Sequence, residues 1–170
     1  MGGDHVTSDI SMGLQIPTAS AERLKTLHGG AMAMEVDDRE MIETGSNSGD
    51  WEHDRRQVSR SELIGIIRPR IEEILEDVRD RLDAAGFDNL PGKQIVLTGG
   101  ASQLPGLDGL AARILGQHVR LGRPIRVQGL PQAATGPAFS GVVGLALNAA
   151  HPRSEEHTSA LQSLLLISYA

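Results

Sequence analysis

Two small groups of residues in this 170-residue chain could do chemistry. The first is Ile95-Val96-Leu97-Thr98-Gly99-Gly100-Ala101-Ser102-Gln103-Leu104-Pro105-Gly106. A short apolar run ends at a glycine pair, passes a Pro-Gly turn and leads into Leu107, Leu110, Ala111, Ile114 and Leu115. The pattern predicts a buried strand, a tight loop and a helix. Glycines in that loop would let the backbone lie against a flat ligand where a side chain would collide, or would simply make the turn. The second group is Glu22 and Lys25, three residues apart and so on one face of a predicted helix. A carboxylate there can accept hydrogen bonds from a hydroxyl; alternatively the two form a solvated charge pair.

Other chemistries find less support. Asp4 and His5 invite a metal reading, but of the six histidines, at 5, 28, 53, 118, 151 and 157, no two are three or four residues apart. A dedicated metal site needs several converging ligands, so none is expected. There is no cysteine, which excludes disulfides and thiolate sites, and no Gly-x-Ser-x-Gly elbow for a nucleophilic serine.

The elements that must position these groups follow from periodicity. Helices are predicted from Asp4 to about Leu14, and from an N-cap at Ser20 to a stop at Gly29. Strands are predicted at Ala31–Val36 and Met41–Glu43 across the charged turn Asp37–Glu40. A polar loop follows at Gly45–Asp54, then a short strand at Gln57-Val58. Ser59 and Glu62 form a capping box for a long helix whose apolar face is Leu63, Ile67, Ile71, Ile74, Val78 and Leu82. Pro69 should bend this helix, Asp77 and Arg81 should pair on its outside, and Gly86 should end it. Lys93–Thr98 is the buried strand, 107–115 a helix, Pro124–Val127 a strand, and 138–149 a last helix. The strand and helix pattern is α/β.

Composition narrows the class. Only four residues are aromatic, so the core must be aliphatic. The net charge of −6 without a basic stripe argues against nucleic-acid binding. No apolar run reaches the ~20 residues that span a membrane, and no signal peptide opens the chain.

Five segments, in order, carry a resemblance. They are Gly2-Gly3-Asp4-His5-Val6-Thr7, Ala21-Glu22-Arg23-Leu24-Lys25, Ile66-Ile67-Arg68-Pro69-Arg70, Thr98-Gly99-Gly100-Ala101 and Phe139–Ala146. Over roughly residues 2 to 150 the chain resembles the second half of FtsA, a bacterial cell-division family of the actin-like ATPase superfamily. The resemblance implies an α/β second lobe of an actin-like (ribonuclease H-like) ATPase fold, a mixed sheet with flanking helices. It implies a 2B-like subdomain over 3–92, facing the tubulin-like ring protein FtsZ, and a 2A-like subdomain with a connecting helix over 93–150.

By that resemblance Gly3, Glu22, Lys25, Gly99, Gly100, Gln103 and Leu104 contact the adenosine of ATP, bound with Mg²⁺. Arg60, Arg68 and Arg70 lie where the FtsZ C-terminal tail would dock; unaided, the sequence also lets them pair with Glu62, Glu72 and Glu73. The implied role is an adaptor in the divisome. It would associate with itself into actin-like filaments, meet other division proteins, and tether FtsZ to the inner face of the cytoplasmic membrane at the septum. Related scaffolds of rod shape or pilus assembly, or a small-molecule kinase, are the alternatives. At most a weak ATPase is implied, and no catalytic residue falls within this segment.

Both ends are unusual for the family. The opening motif there follows the phosphate-binding strands, so the chain is read as a fragment lacking the first half. The segment Arg153–Ser163 resembles translated sequencing adapter, with Ala160 in place of a Glu, so 153–170 is expected to be non-native or disordered. Membrane contact would then belong to a native C-terminus that this tail does not resemble, since it has no Lys or Arg after Arg153.

Overall fold

The computed structural model describes residues 2–44, 56–87, 94–124, 127 and 129–150. Its helices are α1 (Gly3–Leu14), α2 (Thr18–His28), α3 (Arg60–Ala84), α4 (Leu107–Leu115) and α5 (Ser140–Ala150). Its strands are β1 (Met41–Thr44), β2 (Arg56–Ser59), β3 (Gln94–Leu97) and β4 (His118–Leu121).

The long helix α3 organises the rest. Ser59 caps it, its hydroxyl accepting the Glu62 N–H at 3.2 Å. The buried face is Leu63, Ile64, Ile67, Ile71 and Leu75. It therefore advances in steps of four through Leu75, and Ile74, expected on it, is only half-buried. The helix runs through Pro69 unbroken, with Arg81 Nε 3.0 Å from Asp77 Oδ2 on the outer surface. It packs against α1 on one side and α4 on the other. A single aliphatic core results, running from Val6, Ile10 and Leu14 of α1 through α3 to Leu104, Leu107, Leu110 and Ala111. Deep burial of such side chains stabilises the fold by about 1.5–3 kcal/mol each.

The sheets are minimal. β1 and β2 pair antiparallel, with Ile42 opposite Val58 and both side chains in the core. β3 and β4 pair in parallel, Ile95 opposite Val119. Sequence and structure differ at four places. Ala31–Val36 is not a strand: the Asp37 carboxylate accepts the Met34 N–H at 2.7 Å and the Asp37 N–H donates to the Met34 carbonyl, so local turn bonds replace a ladder. Ser20 lies inside α2, which begins two residues earlier behind Pro17, whose fixed φ suits a helix entrance. The strand beside β3 is His118–Leu121 rather than 124–127, of which only Pro124 and Val127 are described. Finally, β3 is not buried: among the described residues it has one strand neighbour, and Val96 stays 43% exposed. The expected loop Gly45–Asp54, Lys93 and the tail 153–170 lie outside the described residues.

Candidate functional site

The site starts at the first turn of α1. His5 Nδ1 accepts the Gly2 N–H at 3.2 Å, so this histidine closes the helix entrance. The first turn of the helix then brings Gly3 and Thr7 beside α2. There Lys25 is buried, 8% exposed, and all three of its ammonium protons have acceptors. It donates to the Gly3 carbonyl at 3.1 Å and to Thr7 Oγ1 at 2.7 Å, and sits 2.5 Å from Glu22 Oε2. Thr7 Oγ1 is also 2.5 Å from Glu22 Oε2 and 3.1 Å from the Gly3 carbonyl. A buried ammonium would be costly unpaired; here the pairing is complete.

Glu22 is the member that remains open. Its side chain is 48% exposed, and both partners take Oε2. Oε1 is therefore the atom available to an incoming donor. Partial burial pulls the Glu22 carboxyl upward, but the hydrogen bonds from Lys25 and Thr7 and the Lys25 charge outweigh it and hold the group below its ordinary value. The carboxylate is thus ionised at neutral pH and acts as an acceptor.

The glycine loop reaches the same place. A β-carbon placed on Gly3 would lie 3.5 Å from Ala101 Cβ and 3.6 Å from Lys25 Nζ. Gly99 has φ +94°, a left-handed conformation that glycine adopts without cost, and nothing lies within 4 Å of a β-carbon placed on Gly99 or Gly100. The space above that short shelf is open. Behind it, Ser102 Oγ donates to the Gly99 carbonyl at 2.7 Å, and the Gly99 N–H donates to the Pro137 carbonyl at 3.1 Å.

Gly3, Glu22 and Lys25 are therefore directly joined, and the Gly99–Ala101 turn adjoins them. Gln103 is exposed on the same loop. Leu104 is different: it is buried in the core, its Cδ2 3.0 Å from where a β-carbon on Gly29 would stand. Its side chain serves packing. Thr7 escaped the sequence reading, although it stands four residues after Gly3, one turn along the same helix face.

The three arginines diverge. Arg60 Nε donates to the His28 carbonyl at 3.0 Å, and its Nη1 lies 3.2 Å from both Asp37 Oδ1 and Glu40 Oε2. Arg68 Nε pairs with Glu72 Oε1 at 2.8 Å, and Arg113 of α4 approaches the same oxygen. Arg70 turns the other way, gripping Asp9 of α1 through Nε at 2.6 Å and Nη2 at 3.1 Å, with Glu73 on Nη1. That bidentate pair raises the affinity of Arg70 for its proton, hydrogen bonding to Asp9 being the main cause. Residues two apart on a helix face nearly opposite sides, so Arg68 and Arg70 do not share one groove.

A shallow cavity of about 250 Å³ lies elsewhere, between β3 and α5, lined by Val96, Thr98, Gly122, Ser140, Val143 and Leu147 among others. None of the candidate residues lines it. Among the described residues no group of three or more acidic or histidine side chains could hold a metal ion, and no helix is long and apolar enough to cross a membrane.

Comparison with known proteins adds the family. The profile of the family described as "Cell division protein FtsA" matches residues 1–144. The cell division protein FtsA of Agrobacterium fabrum (strain C58) is 50% identical over 145 residues, 85% of this chain and 33% of that protein. The chain thus spans about one third of that relative's length. Among solved structures, the PilM–PilN type IV pilus biogenesis complex superposes with TM-score 0.57 at 21% identity, covering 89% of this chain and 38% of that one. MreB5 of Spiroplasma citri bound to ADP gives TM-score 0.57 at 14% identity over 88% of this chain and 44% of that one. These likenesses show the fold, that of the actin-like ATPases.

Proposed function

This chain belongs to the FtsA family of cell division proteins, and from that premise we propose that it supplies the adenosine-binding half of a nucleotide cleft. Glu22 accepts a ribose hydroxyl at Oε1, the Gly99–Gly100 shelf lies under the flat base, and Gly3 leaves room where a side chain would intrude. Lys25 positions: with all its protons committed to Gly3, Thr7 and Glu22, it fixes the carboxylate and the entrance of α1 relative to each other. The same commitment means that this cluster offers no free cation to a triphosphate. Phosphate and Mg²⁺ would be held by other parts of the longer protein.

The observation that carries this reading is the contiguity of Gly3, Lys25 and Ala101, since it joins the acid–lysine couple to the glycine turn. The MreB5 structure bound to ADP supports it by analogy of fold alone. Adenosine titration of the chain, followed by ligand-observed NMR, tests it. Binding that Glu22→Gln weakens about tenfold is expected, the equivalent of about 1.4 kcal/mol for one charged hydrogen bond. Equal binding by both proteins would reject the role of Glu22, and no binding would reject the site.

We further propose the cellular role of an adaptor. In a full-length FtsA-type protein, bound ATP would set the filament-forming conformation, and the 2B-like region would receive the C-terminal tail of FtsZ at the inner face of the cytoplasmic membrane. Family membership supports this. Arg68 is the most exposed of the three arginines, at 40%, and its partner Glu72 is replaceable by an acidic group of a tail. Titration with an FtsZ tail peptide should show affinity lost in Arg68→Ala; binding indifferent to that change would remove Arg68 from the interface.

A further inference from the structure

We propose that Thr7 is a positioning residue of the nucleotide site: its hydroxyl, held by Lys25, ties down Glu22 Oε2 and so aims Oε1 at the ribose. This role rests on the nucleotide reading of Glu22 given above.

Glu22 and Lys25 alone would not hold one orientation. The Glu22 side chain is 48% exposed, and Lys25 lies three residues further along the same helix. Half-exposed pairs of that kind hold loosely, and an ammonium, a point charge on a flexible stem, can move between the two oxygens of a carboxylate. Thr7 comes from the other helix. It is 4% exposed, and its Oγ1 lies 2.5 Å from Glu22 Oε2. Donors from α1 and α2 thus converge on one oxygen of the two.

The direction of each bond follows from the protons present. An ammonium only donates, so Thr7 Oγ1, 2.7 Å from Lys25 Nζ, accepts there. The single Thr7 hydroxyl proton then has two acceptors in reach, the Gly3 carbonyl at 3.1 Å and Glu22 Oε2. The charged acceptor takes it while Glu22 is ionised. The chain from Lys25 through Thr7 to Glu22 polarises in one sense, which strengthens both bonds. With two donors on Oε2, both lone pairs of Oε1 are left for the neighbouring hydroxyls of a ribose. An apolar side chain of the same shape at position 7 would pack in this place and aim nothing.

The charges around Glu22 are few. Lys25 faces it from α2 and Thr7 from α1, while the turn at 99–102, Gly-Gly-Ala-Ser, brings no titratable side chain. Burial acts upward on the Glu22 carboxyl; the hydrogen bonds from Lys25 and Thr7 and the Lys25 charge act downward and prevail. Loss of the Thr7 donor therefore moves the carboxyl upward.

The test titrates the full 170-residue chain with adenosine and with 2′-deoxyadenosine across a pH series, as parent, Thr7→Val and Thr7→Ser. The parent should prefer adenosine about tenfold, for one hydrogen bond to a charged acceptor. Thr7→Val should narrow that preference to about threefold or less, and should lose adenosine at a higher pH than the parent does. Thr7→Ser, which keeps the hydroxyl, should restore both. A loosened fold would weaken the two ligands alike and leave their ratio unchanged. An unchanged ratio in Thr7→Val overturns the role of Thr7 and leaves the nucleotide site to be judged by Glu22→Gln. No adenosine binding by the parent rejects the nucleotide reading and this role with it. Should Thr7→Val fail to fold, the parent reports on the same bond by NMR: the Thr7 hydroxyl proton should exchange slowly at neutral pH and shift as Glu22 titrates. A proton that exchanges freely and ignores that titration overturns the proposal.

Discussion

The helical unit of α1, α2 and α3 and the unit of β3, β4 and α5 are built from similar aliphatic residues and differ in what covers them. In the first, Val6, Ile10, Ala21, Leu63 and Ile67 are fully buried, and even the buried ammonium of Lys25 has every proton bonded. In the second, α5 buries only Val143, and Val96, Leu121, Phe139, Val142, Leu145 and Leu147 all remain more than 40% exposed. Apolar content alone therefore does not make a core. A helix needs a neighbour on its apolar side, and α3 has two while α5 faces one thin sheet edge.

That contrast can be broken by mutation. The largest effect belongs to Ile67→Ala at the centre of the helical unit: a loss of about 2–5 kcal/mol, read by urea denaturation. Lys25→Met should cost about 1–3 kcal/mol in the same measurement, because Thr7, Glu22 and the Gly3 carbonyl lose their shared donor. Ser59→Ala, which uncaps α3, should cost about 1 kcal/mol.

A pH series sharpens the picture at Glu22. Its folded-state affinity for protons is lowered relative to the unfolded chain, so its contribution to stability is present above the ordinary value of 4.5 and lost as pH falls through the folded value. Glu22→Gln should flatten the stability decline below pH 4.5 and leave the profile near neutrality parallel to that of the parent. The smallest effect is expected at Leu145→Lys, within about 0.5 kcal/mol of the parent, accompanied by reduced self-association in sedimentation; a large destabilisation there would show that α5 is packed after all.

Much of the helical unit was legible because its signals are local. Ser59 with Glu62, the four-residue steps from Leu63 and the stop at Gly86 all act within a turn or two of the chain. The 107–115 helix was legible for the same reason. The failures have non-local or turn-chemical causes. Alternation at Ala31–Val36 looked like a strand, but one carboxylate at Asp37 was enough to fold it into turns. Nothing near β3 in the sequence says that Val96 would stay exposed, since burial of a strand is decided by distant segments. At the site, the i,i+3 spacing of Glu22 and Lys25 was readable, while the contact of α1 with both α2 and the glycine turn required the fold. The divergence of Arg68 and Arg70 was implicit in their spacing, but that Asp9 would hold Arg70 was not.

Gly106 imposes a last condition on how this sequence can drift. It sits at the entrance of α4 with φ +78°, and a β-carbon there would come within 3.3 Å of Met32 Cβ. Room and handedness are thus separate demands at one position. Shortening Met32 to Ala would keep the Cβ that makes the contact and would leave the handedness untouched, so no single trimming at Met32 restores a chain that has lost this glycine. The join between the 30–32 segment and α4, sealed by the Ala31 N–H on the Pro105 carbonyl at 2.8 Å, is in that sense a one-way lock on substitution.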